Sequence, residues 1–162
     1  MHDVLLVEDN PGDIRLAREC FRIADPPINL HIARDGVEAM AFLRREGDNV
    51  HSPRPNLILL DLNLPKMDGR RVLAEIKNDV RLKSIPTLIL TSSELMTDID
   101  HCYQNSANCY LRKPTDWDAF NDLVGVINSF WLVLVRLPTN GPPEAMDVAP
   151  VAVAELETRT LN

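Results

Sequence analysis

Three short runs made almost entirely of apolar residues stand out along the chain. They lie at residues 4–7, 57–60 and 87–90. Continuous apolar runs of this length are typical of strands that are buried on both faces of a parallel sheet. Weaker strand candidates lie at residues 29–33 and 109–111. The pattern therefore predicts five strands with helices packed on both sides of the sheet.

Apolar residues at helical spacing fill the segments between these runs. The first segment begins at Pro11, and proline suits the first position of a helix, where its missing N–H has no partner. Further segments start after residues 35–36 and 68–69, and a polar stretch at 97–105 is a candidate for the fourth helix. The fifth helix is expected to start near Asp116, and its predicted core face is Phe120, Leu123, Val124, Ile127, Trp131 and Leu134.

Five strands that alternate with five helices predict an α/β fold of the doubly wound type. Right-handed crossovers would place helices on both faces of its parallel sheet. The last 25 residues, 138–162, contain four prolines and no aromatic residue, and they show no helical spacing. We therefore expect one folded domain over residues 1–137 and a flexible C-terminal tail over 138–162.

The composition narrows the classes of protein to which the chain can belong. Its 162 residues carry a formal net charge of −7 and are 45% apolar, which is ordinary for a soluble globular domain. The acidic balance disfavours non-specific binding to nucleic acids. The chain shows no signal-peptide pattern, no apolar run long enough to cross a membrane and no paired cysteine motif. We expect a cytoplasmic protein that binds neither DNA nor membranes.

Polar residues follow four of the five predicted strands. Glu8 and Asp9 come after the first strand, Asp61 after the third, Thr91 after the fourth and Lys113 after the fifth. In a doubly wound sheet, functional groups gather beyond the carboxyl ends of the strands. The sequence therefore predicts that these five side chains meet at one edge of the sheet.

Three carboxylates at one edge require a compensating charge. Two unit charges 4 Å apart repel by about 4 kcal/mol at an effective dielectric constant near 20. A hard divalent cation with oxygen ligands relieves this repulsion, and Mg²⁺ typically takes one or two carboxylates plus waters and phosphate oxygens. We expect Asp9 and Asp61 as direct ligands and Glu8 as a ligand through water, with the backbone carbonyl of Asn63 completing the set.

The cations and hydroxyl of this edge suit the transfer of a phosphoryl group. Lys113 supplies a compact ammonium, and Thr91 supplies a hydroxyl. Together with Mg²⁺, they would neutralise the oxygens of the transferred group. The nucleophile would be a carboxylate, and Asp61 is the strongest candidate because it follows a central apolar strand.

Four segments carry a family resemblance: V-L-L-V-E-D-N at 4–10, L-L-D-L-N-L-P-K-M-D-G at 59–69, L-T-S-S at 90–93 and L-R-K-P at 111–114. Over residues 1–137, the chain resembles the receiver domain of two-component response regulators. The resemblance implies a flavodoxin-like sheet of order 2-1-3-4-5 and a signalling protein, not an enzyme, that takes part in its own phosphotransfer and dephosphorylation. It also implies Asp61 as phosphoacceptor, Thr91 and Tyr110 as switch residues, and a cis bond at Lys113–Pro114.

Further segments resemble the small regulators that are partnered with phytochrome-type histidine kinases. They are the loop at 51–55, the Asn108-Cys109-Tyr110 run and the Phe130-Trp131 pair. The resemblance implies a histidine kinase as partner.

The predicted last helix carries apolar residues away from its core face. An additional apolar face usually indicates a partner surface. We expect homodimerisation through the fourth helix, the fifth strand and the fifth helix, a preference to which the family resemblance contributes. The alternative is that the tail folds back over this face. The candidate surface consists of Tyr103, Tyr110, Val126, Phe130, Val133 and Leu137.

The competing function is a Mg²⁺-dependent phosphatase with an aspartate nucleophile, of the haloacid dehalogenase class. That class resembles this chain in combining an aspartate with a threonine or serine, a lysine and Mg²⁺. Its second aspartate serves as an acid and base, whereas Asn63 stands two residues after Asp61 and has no proton to transfer. A receiver that only binds partners is disfavoured because the residue set is complete.

Overall fold

The protein is described by a computed structural model that covers residues 1–138. Its five strands form a parallel sheet in the order β2-β1-β3-β4-β5, so the predicted fold class and strand order are confirmed. The weaker strand candidates, β2 and β5, lie at the two edges. The strands are β1 (His2–Val7), β2 (Ile28–Ala33), β3 (Leu57–Leu60), β4 (Thr87–Thr91) and β5 (Cys109–Arg112).

Five α-helices alternate with the strands, as the spacing predicts. They are α1 (Pro11–Arg22), α2 (Gly36–Arg44), α3 (Gly69–Asn78), α4 (Met96–Gln104) and α5 (Trp117–Ile127), with a short 3₁₀ helix at Gly47–Asn49. Side chains cap several N-termini: Asn10 accepts from the N–H of Gly12, and Asp116 accepts from the N–H of Ala119. These caps satisfy backbone donors that have no partner within the helix, and they fix where α1 and α5 begin.

The two faces of the sheet carry separate apolar layers. Leu5 and Val7 of β1 point into the layer beneath α2 and α3, whereas Val4 and Leu6 point into the layer beneath α1 and α5. All four side chains are nearly inaccessible to solvent. Successive strand residues face opposite sides of a sheet, so a strand covered on both faces must be apolar at every position. The continuous apolar runs have this physical origin.

The end of the last helix differs from the prediction. A π-helix at Asn128–Leu134 continues α5. Leu134, predicted on the core face, is 71% exposed, whereas Leu132 is buried at 5% exposure. The hydrogen bonds of a π-helix join residues five apart instead of four, so the buried positions shift relative to α-helical spacing.

The same change affects the placement of one residue of the predicted dimer surface. Leu137 is partly buried against the apolar layer of α1 and α5. The chain turns to an extended backbone at Val135, so helical spacing no longer decides which way residue 137 points. The predicted flexible tail lies outside the described residues, apart from Pro138. Among the helices of the described part, none is long and apolar enough to cross a membrane.

Candidate functional site

The site is built at the carboxyl edge of the sheet. Glu8 and Asp9 follow β1, Asp61 follows β3, Thr91 ends β4 and Lys113 follows β5. Since all five strands are parallel, these positions share one edge. The structure places Glu8, Asp61 and Lys113 in direct contact and Asp9 beside them.

Lys113 is the centre of a buried charge cluster. Its Nζ donates to Glu8 Oε2 at 2.6 Å, Asp61 Oδ2 at 2.8 Å and Asp13 Oδ2 at 3.0 Å. The Lys113 side chain is 9% exposed and that of Glu8 is 2% exposed. We call these four residues the Lys113 cluster. One ammonium faces three carboxylates, so the cluster carries an excess of negative charge when all of them are ionised.

Asp13 is a site residue that the sequence reasoning did not identify. It lies in the first turn of α1. Acidic residues are common there because they interact favourably with the positive end of the helix dipole, so its position alone indicated no further role. Its contact with Lys113 joins residues 100 positions apart and depends on how α1 packs on the sheet.

Burial and charge pairing shift the ionisation of this cluster in opposite ways. For Glu8, loss of hydration on burial is the largest effect and raises the pKa, although the hydrogen bond from Lys113 opposes it. For Lys113, burial would lower the pKa, but hydrogen bonds to Asp61, Glu8 and Asp13 outweigh it and hold the pKa well above its ordinary value. The lysine is therefore charged at neutral pH.

The carboxylates fit a hard divalent cation. Glu8, Asp9 and Asp61 each offer a carboxylate oxygen, and these oxygens all lie within 4.8 Å of one another. Asp9 is exposed, so the group opens to solvent on one side. Oxygen donors with an open side match the preference of Mg²⁺ for a few carboxylates and several waters. Asn63 lies beside the group, and its backbone N–H donates to Asp61 Oδ1 at 3.3 Å.

The loop after β3 is fixed by close backbone contacts. A methyl group at Gly69 would lie 2.1 Å from the carbonyl oxygen of Asp61, and one at Gly36 would lie 2.2 Å from that of Met67. Neither position can carry a side chain without a backbone shift. The ion pair between Lys66 Nζ and Asp35 Oδ2, at 2.5 Å, adds a second link between this loop and the start of α2. Asp61 is therefore held from the α2 and α3 side.

The two predicted switch residues meet at Ser93. Thr91 is fully buried, and its Oγ1 accepts from the N–H of Ser93 at 3.4 Å. The hydroxyl of Tyr110 donates to the carbonyl oxygen of Ser93 at 3.0 Å. Tyr110 is partly buried and packs against the apolar layer beneath α2 and α3. Both residues thus depend on where the loop after β4 places Ser93.

Of the predicted dimer surface, four side chains are open to solvent. Tyr103, Val126, Phe130 and Val133 are between 48% and 61% exposed. Tyr110 and Leu137 are partly buried in the chain itself.

In the backbone of the described residues, the cis peptide bond is at Asp25–Pro26, so the cis bond expected at Lys113–Pro114 is wrong.

Comparisons with known proteins agree with this geometry. A family model for the response regulator receiver domain matches residues 4–125. The response regulator Rcp1 of Synechocystis sp. is 50% identical over 135 residues, which are 83% of this chain and 92% of Rcp1. The phosphorylated cyanobacterial phytochrome response regulator RcpA has a similar structure, with 47% identity, a TM-score of 0.82 and coverage of 85% of this chain and 99% of RcpA. The Mn²⁺-bound form of Rcp1 is 48% identical, with a TM-score of 0.81 and coverage of 86% and 100%.

Proposed function

Because the chain belongs to the response regulator receiver family, we propose that it is a phosphorylation switch in which Asp61 accepts a phosphoryl group from a histidine kinase. The observation that carries the proposal is the contact of the Lys113 ammonium with Asp61 at 2.8 Å inside an acidic cluster. Because the Lys113 ammonium already contacts the candidate nucleophile Asp61, it is well placed to stabilise the negative charge of the incoming phosphoryl group.

Mg²⁺ is the proposed cofactor. Asp9 and Asp61 would hold it directly, with the Asn63 carbonyl as a further ligand and Glu8 acting through a bound water. When bound, the ion neutralises charge on the phosphoryl oxygens during transfer. The oxygen-only donor set supports this assignment, as does the Mn²⁺-bound form of the related Rcp1.

The transfer step uses the side chains of this chain in defined roles. A carboxylate oxygen of Asp61 attacks the phosphorus of a phosphohistidine, and the P–N bond breaks as the new P–O bond forms. The imidazole leaves with the electron pair of the broken bond. Lys113 then exchanges its contact with Asp61 for a phosphoryl oxygen, while Glu8 and Asp13 keep the ammonium in place. The Thr91 hydroxyl provides a further donor to the same group.

After transfer, the protein would act as a signalling switch. Phosphorylation favours whichever arrangement of Thr91 and Tyr110 interacts better with the modified Asp61, which is the condition for any ligand-driven change of state. Water then hydrolyses the acyl phosphate at the same site, so the protein takes part in its own dephosphorylation. A phosphatase with an aspartate nucleophile has no support in this site, because Asn63 replaces the second carboxylate.

A phytochrome-type histidine kinase is the proposed donor. The supporting observation is the similarity to RcpA, a phytochrome response regulator, over 85% of this chain. We place the encounter in the cytoplasm, and the three cysteines support this because all are free thiols. Transfer from a phosphorylated kinase of this type, compared with an unrelated histidine kinase, tests the pairing. Equal rates from both kinases would contradict it.

We also propose homodimerisation through α4, β5 and α5. The four exposed side chains named above support it, because exposed large apolar groups on α4 and at the end of the last helix suit a partner surface. Light scattering with and without Mg²⁺ and beryllofluoride, a phosphoryl mimic, measures the oligomer. Val133→Glu should dissociate the dimer, whereas Val80→Glu, on an exposed residue beyond α3, should not. A monomeric wild type under both conditions contradicts this proposal.

The phosphoacceptor is tested by substitution. Wild-type protein incubated with phosphoramidate and Mg²⁺ should gain one phosphoryl group, detected by intact mass. Asp61→Asn should gain none, and Asp100→Asn, which removes an exposed carboxylate from α4, should react like the wild type. Labelling of Asp61→Asn at the wild-type rate would exclude Asp61 as the acceptor.

A further inference from the structure

A second charged cluster connects the start of α3 with α4 and the loop after β4. Arg70, at the start of α3, donates through Nε to Asp98 Oδ1 at 2.9 Å and pairs through Nη2 with Asp98 Oδ2 at 2.7 Å. Its Nη1 pairs with Asp68 Oδ2 at 2.9 Å. The guanidinium therefore grips one carboxylate with two parallel bonds, a geometry that fixes position as well as charge.

Asp98 connects this pair to the loop after β4. It lies in the first turn of α4 and is only 7% exposed. Ser93 Oγ donates to Asp98 Oδ2 at 2.6 Å. Hydrogen bonds from Ser93 and Arg70 hold the pKa of Asp98 below its ordinary value, so the carboxylate is charged at neutral pH. We call Arg70, Asp68, Asp98 and Ser93 the Arg70 cluster.

An acidic residue in the first turn of a helix is often explained by the helix dipole alone. Asp98 differs in where its oxygens are engaged. Their side-chain hydrogen bonds, as the structure describes them, go to Arg70 of α3 and to Ser93 of the preceding loop. Both partners of Asp98 therefore lie outside α4. One of them, Ser93, is also the residue that the side chains of Thr91 and Tyr110 contact.

Ser93 thus has four polar contacts, one of which is the N–H of Leu95 donating to its hydroxyl oxygen at 3.4 Å. Its hydroxyl is held by Asp98, its carbonyl oxygen accepts from Tyr110 and its N–H donates to Thr91. Fixing the hydroxyl therefore fixes the two backbone groups on which the switch residues depend. Without that anchor, the loop has fewer restraints, and Tyr110 loses a fixed acceptor. Tyr110 lies on the edge strand β5, so its ring has solvent on one side to move into.

We propose that Asp98, gripped by Arg70, is a positioning residue that sets Ser93 and through it the placement of Tyr110 and Thr91. The part of this inference that concerns phosphorylation rests on the proposed function. The part that concerns Tyr110 does not, because it is a property of the unphosphorylated chain. Asp98 itself contacts neither Asp61 nor a phosphoryl group.

The chain offers a direct spectroscopic test because it contains only two tyrosines, Tyr103 and Tyr110. Labelling with 3-fluorotyrosine gives two ¹⁹F NMR signals, assigned with Tyr103→Phe. In Asp98→Asn without Mg²⁺, the Tyr110 signal should move toward the solvent-exposed shift, and the ratio of placed to displaced ring should fall about ten-fold, the effect of losing one hydrogen bond to a charged group. The hydroxyl of Tyr103 accepts from the backbone N–H of Tyr110 at 3.2 Å, so the Tyr103 signal reports on the backbone contact of α4 with β5. It should stay in place when only the ring of Tyr110 moves.

Matched variants separate positioning from general damage. Asp100→Asn removes the same charge from the exposed side of α4 and should leave both signals unchanged. Arg70→Lys keeps the charge but loses the two-pronged grip, and it should displace Tyr110 partially, whereas Arg71→Lys should not. Ser93→Ala should reproduce Asp98→Asn, and Ser93→Thr, which keeps the hydroxyl, should restore the wild-type signal. The two Ser93 variants carry the test if Asp98→Asn does not fold.

The outcomes distinguish this inference from the proposed function. An unchanged Tyr110 signal in both Asp98→Asn and Ser93→Ala would overturn it, and so would equal displacement of Tyr103 and Tyr110. With phosphoramidate and Mg²⁺, we expect Asp98→Asn to be labelled about ten-fold more slowly than Asp100→Asn, because Thr91 is no longer held in place. If Tyr110 moves but the wild type is never labelled, the proposed function fails and the positioning of Tyr110 stands.

Discussion

The Lys113 cluster and the Arg70 cluster hold charge in different ways. Lys113 is a point charge whose three donors meet three carboxylates, at distances from 2.6 to 3.0 Å. Arg70 is a planar fork that holds Asp98 with two bonds and Asp68 with one. An ammonium on a flexible stem can exchange partners, whereas a guanidinium fork fixes one geometry.

The difference suits different tasks. The Lys113 cluster contains more carboxylates than cations, which favours the binding of a metal ion. The bound ion and Lys113 would together offset the negative charge of a phosphoryl group. The Arg70 cluster has its acidic oxygens occupied by Arg70 and Ser93, which leaves Asp98 little to gain from a new ligand. Partners are expected to change in the first cluster and to stay fixed in the second.

The largest expected effect is the loss of the ammonium. Lys113→Met leaves buried carboxylates without their cation, and we expect it to lower the free energy of unfolding by about 3 kcal/mol. This loss is at the lower end of the range for breaking a buried ion pair, because Glu8 can take up a proton. Burial already raises the pKa of Glu8. Added Mg²⁺ should restore part of the stability, as measured by urea unfolding. Lys83→Met, on an exposed lysine, should cost little, and a loss that Mg²⁺ leaves unchanged would contradict the proposed charge balance.

The next effect concerns the metal. At a free Mg²⁺ concentration one hundred times the dissociation constant, the wild type should gain about 2.7 kcal/mol of stability. Asp9→Asn should lose most of this gain, without a loss of stability in the absence of metal, because it also removes a repelling charge. Thermal unfolding at increasing Mg²⁺ measures both quantities, with Asp118→Asn as the control. A full Mg²⁺ response in Asp9→Asn would remove Asp9 from the ligand set.

A smaller effect is expected from the second cluster. Arg70→Met leaves Asp98 buried with Ser93 as its remaining donor, and we expect a loss of about 2 kcal/mol. Arg71, its exposed neighbour, pairs with Glu75 on the surface, so Arg71→Met should cost no more than about 0.5 kcal/mol. Mg²⁺ should not rescue Arg70→Met, unlike Lys113→Met. Rescue of both variants would erase the distinction between the clusters.

The smallest effect is a pH dependence. The pKa of Asp98 is lower in the folded chain than its ordinary value of 3.8. The stability that this carboxylate contributes is therefore present above pH 3.8 and is lost as pH falls through the lower folded value. The deficit of Asp98→Asn relative to wild type, about 1 kcal/mol at pH 7 by the ordinary worth of a hydrogen bond, should shrink in acid. Urea unfolding from pH 7 to pH 3 checks this, and a constant deficit would argue against an ionised Asp98.

The residues at the strand ends were predictable because two simple rules apply together. Burial on both faces makes β1, β3 and β4 apolar throughout, so the first polar residue marks the end of each strand. Parallel strands then bring Glu8, Asp61 and Lys113 to one edge whatever the details of packing. The fold class and the strand order follow from the same pattern and the family resemblance.

The residues that were missed depend on tertiary packing. Asp13 and Asp98 both lie in the first turn of a helix, where an acidic residue already has a local explanation. Their contacts with Lys113 and Arg70 arise from how α1, α3 and α4 pack, which spacing along the chain does not encode. The prediction that Leu134 faces the core was wrong for a related reason. The spacing of α5 was extended across a π-helix, whose start at Asn128 has no distinctive sequence signal.

The contacts of Gly36 and Gly69 have a mechanical consequence. The loop after β3 has no room for even a methyl group at these two positions, so it is stiff toward α2 and α3. On the other side of Asp61, the loop after β4 is restrained by hydrogen bonds of Ser93. Asp98 holds the Ser93 hydroxyl, whereas the backbone contacts of Ser93 with Thr91 and Tyr110 can lengthen or exchange. A displacement that begins at Asp61 is therefore resisted by close backbone contacts toward α2 and α3, and it is resisted less by the loop after β4. We expect that contrast in stiffness to decide in which direction such a displacement spreads.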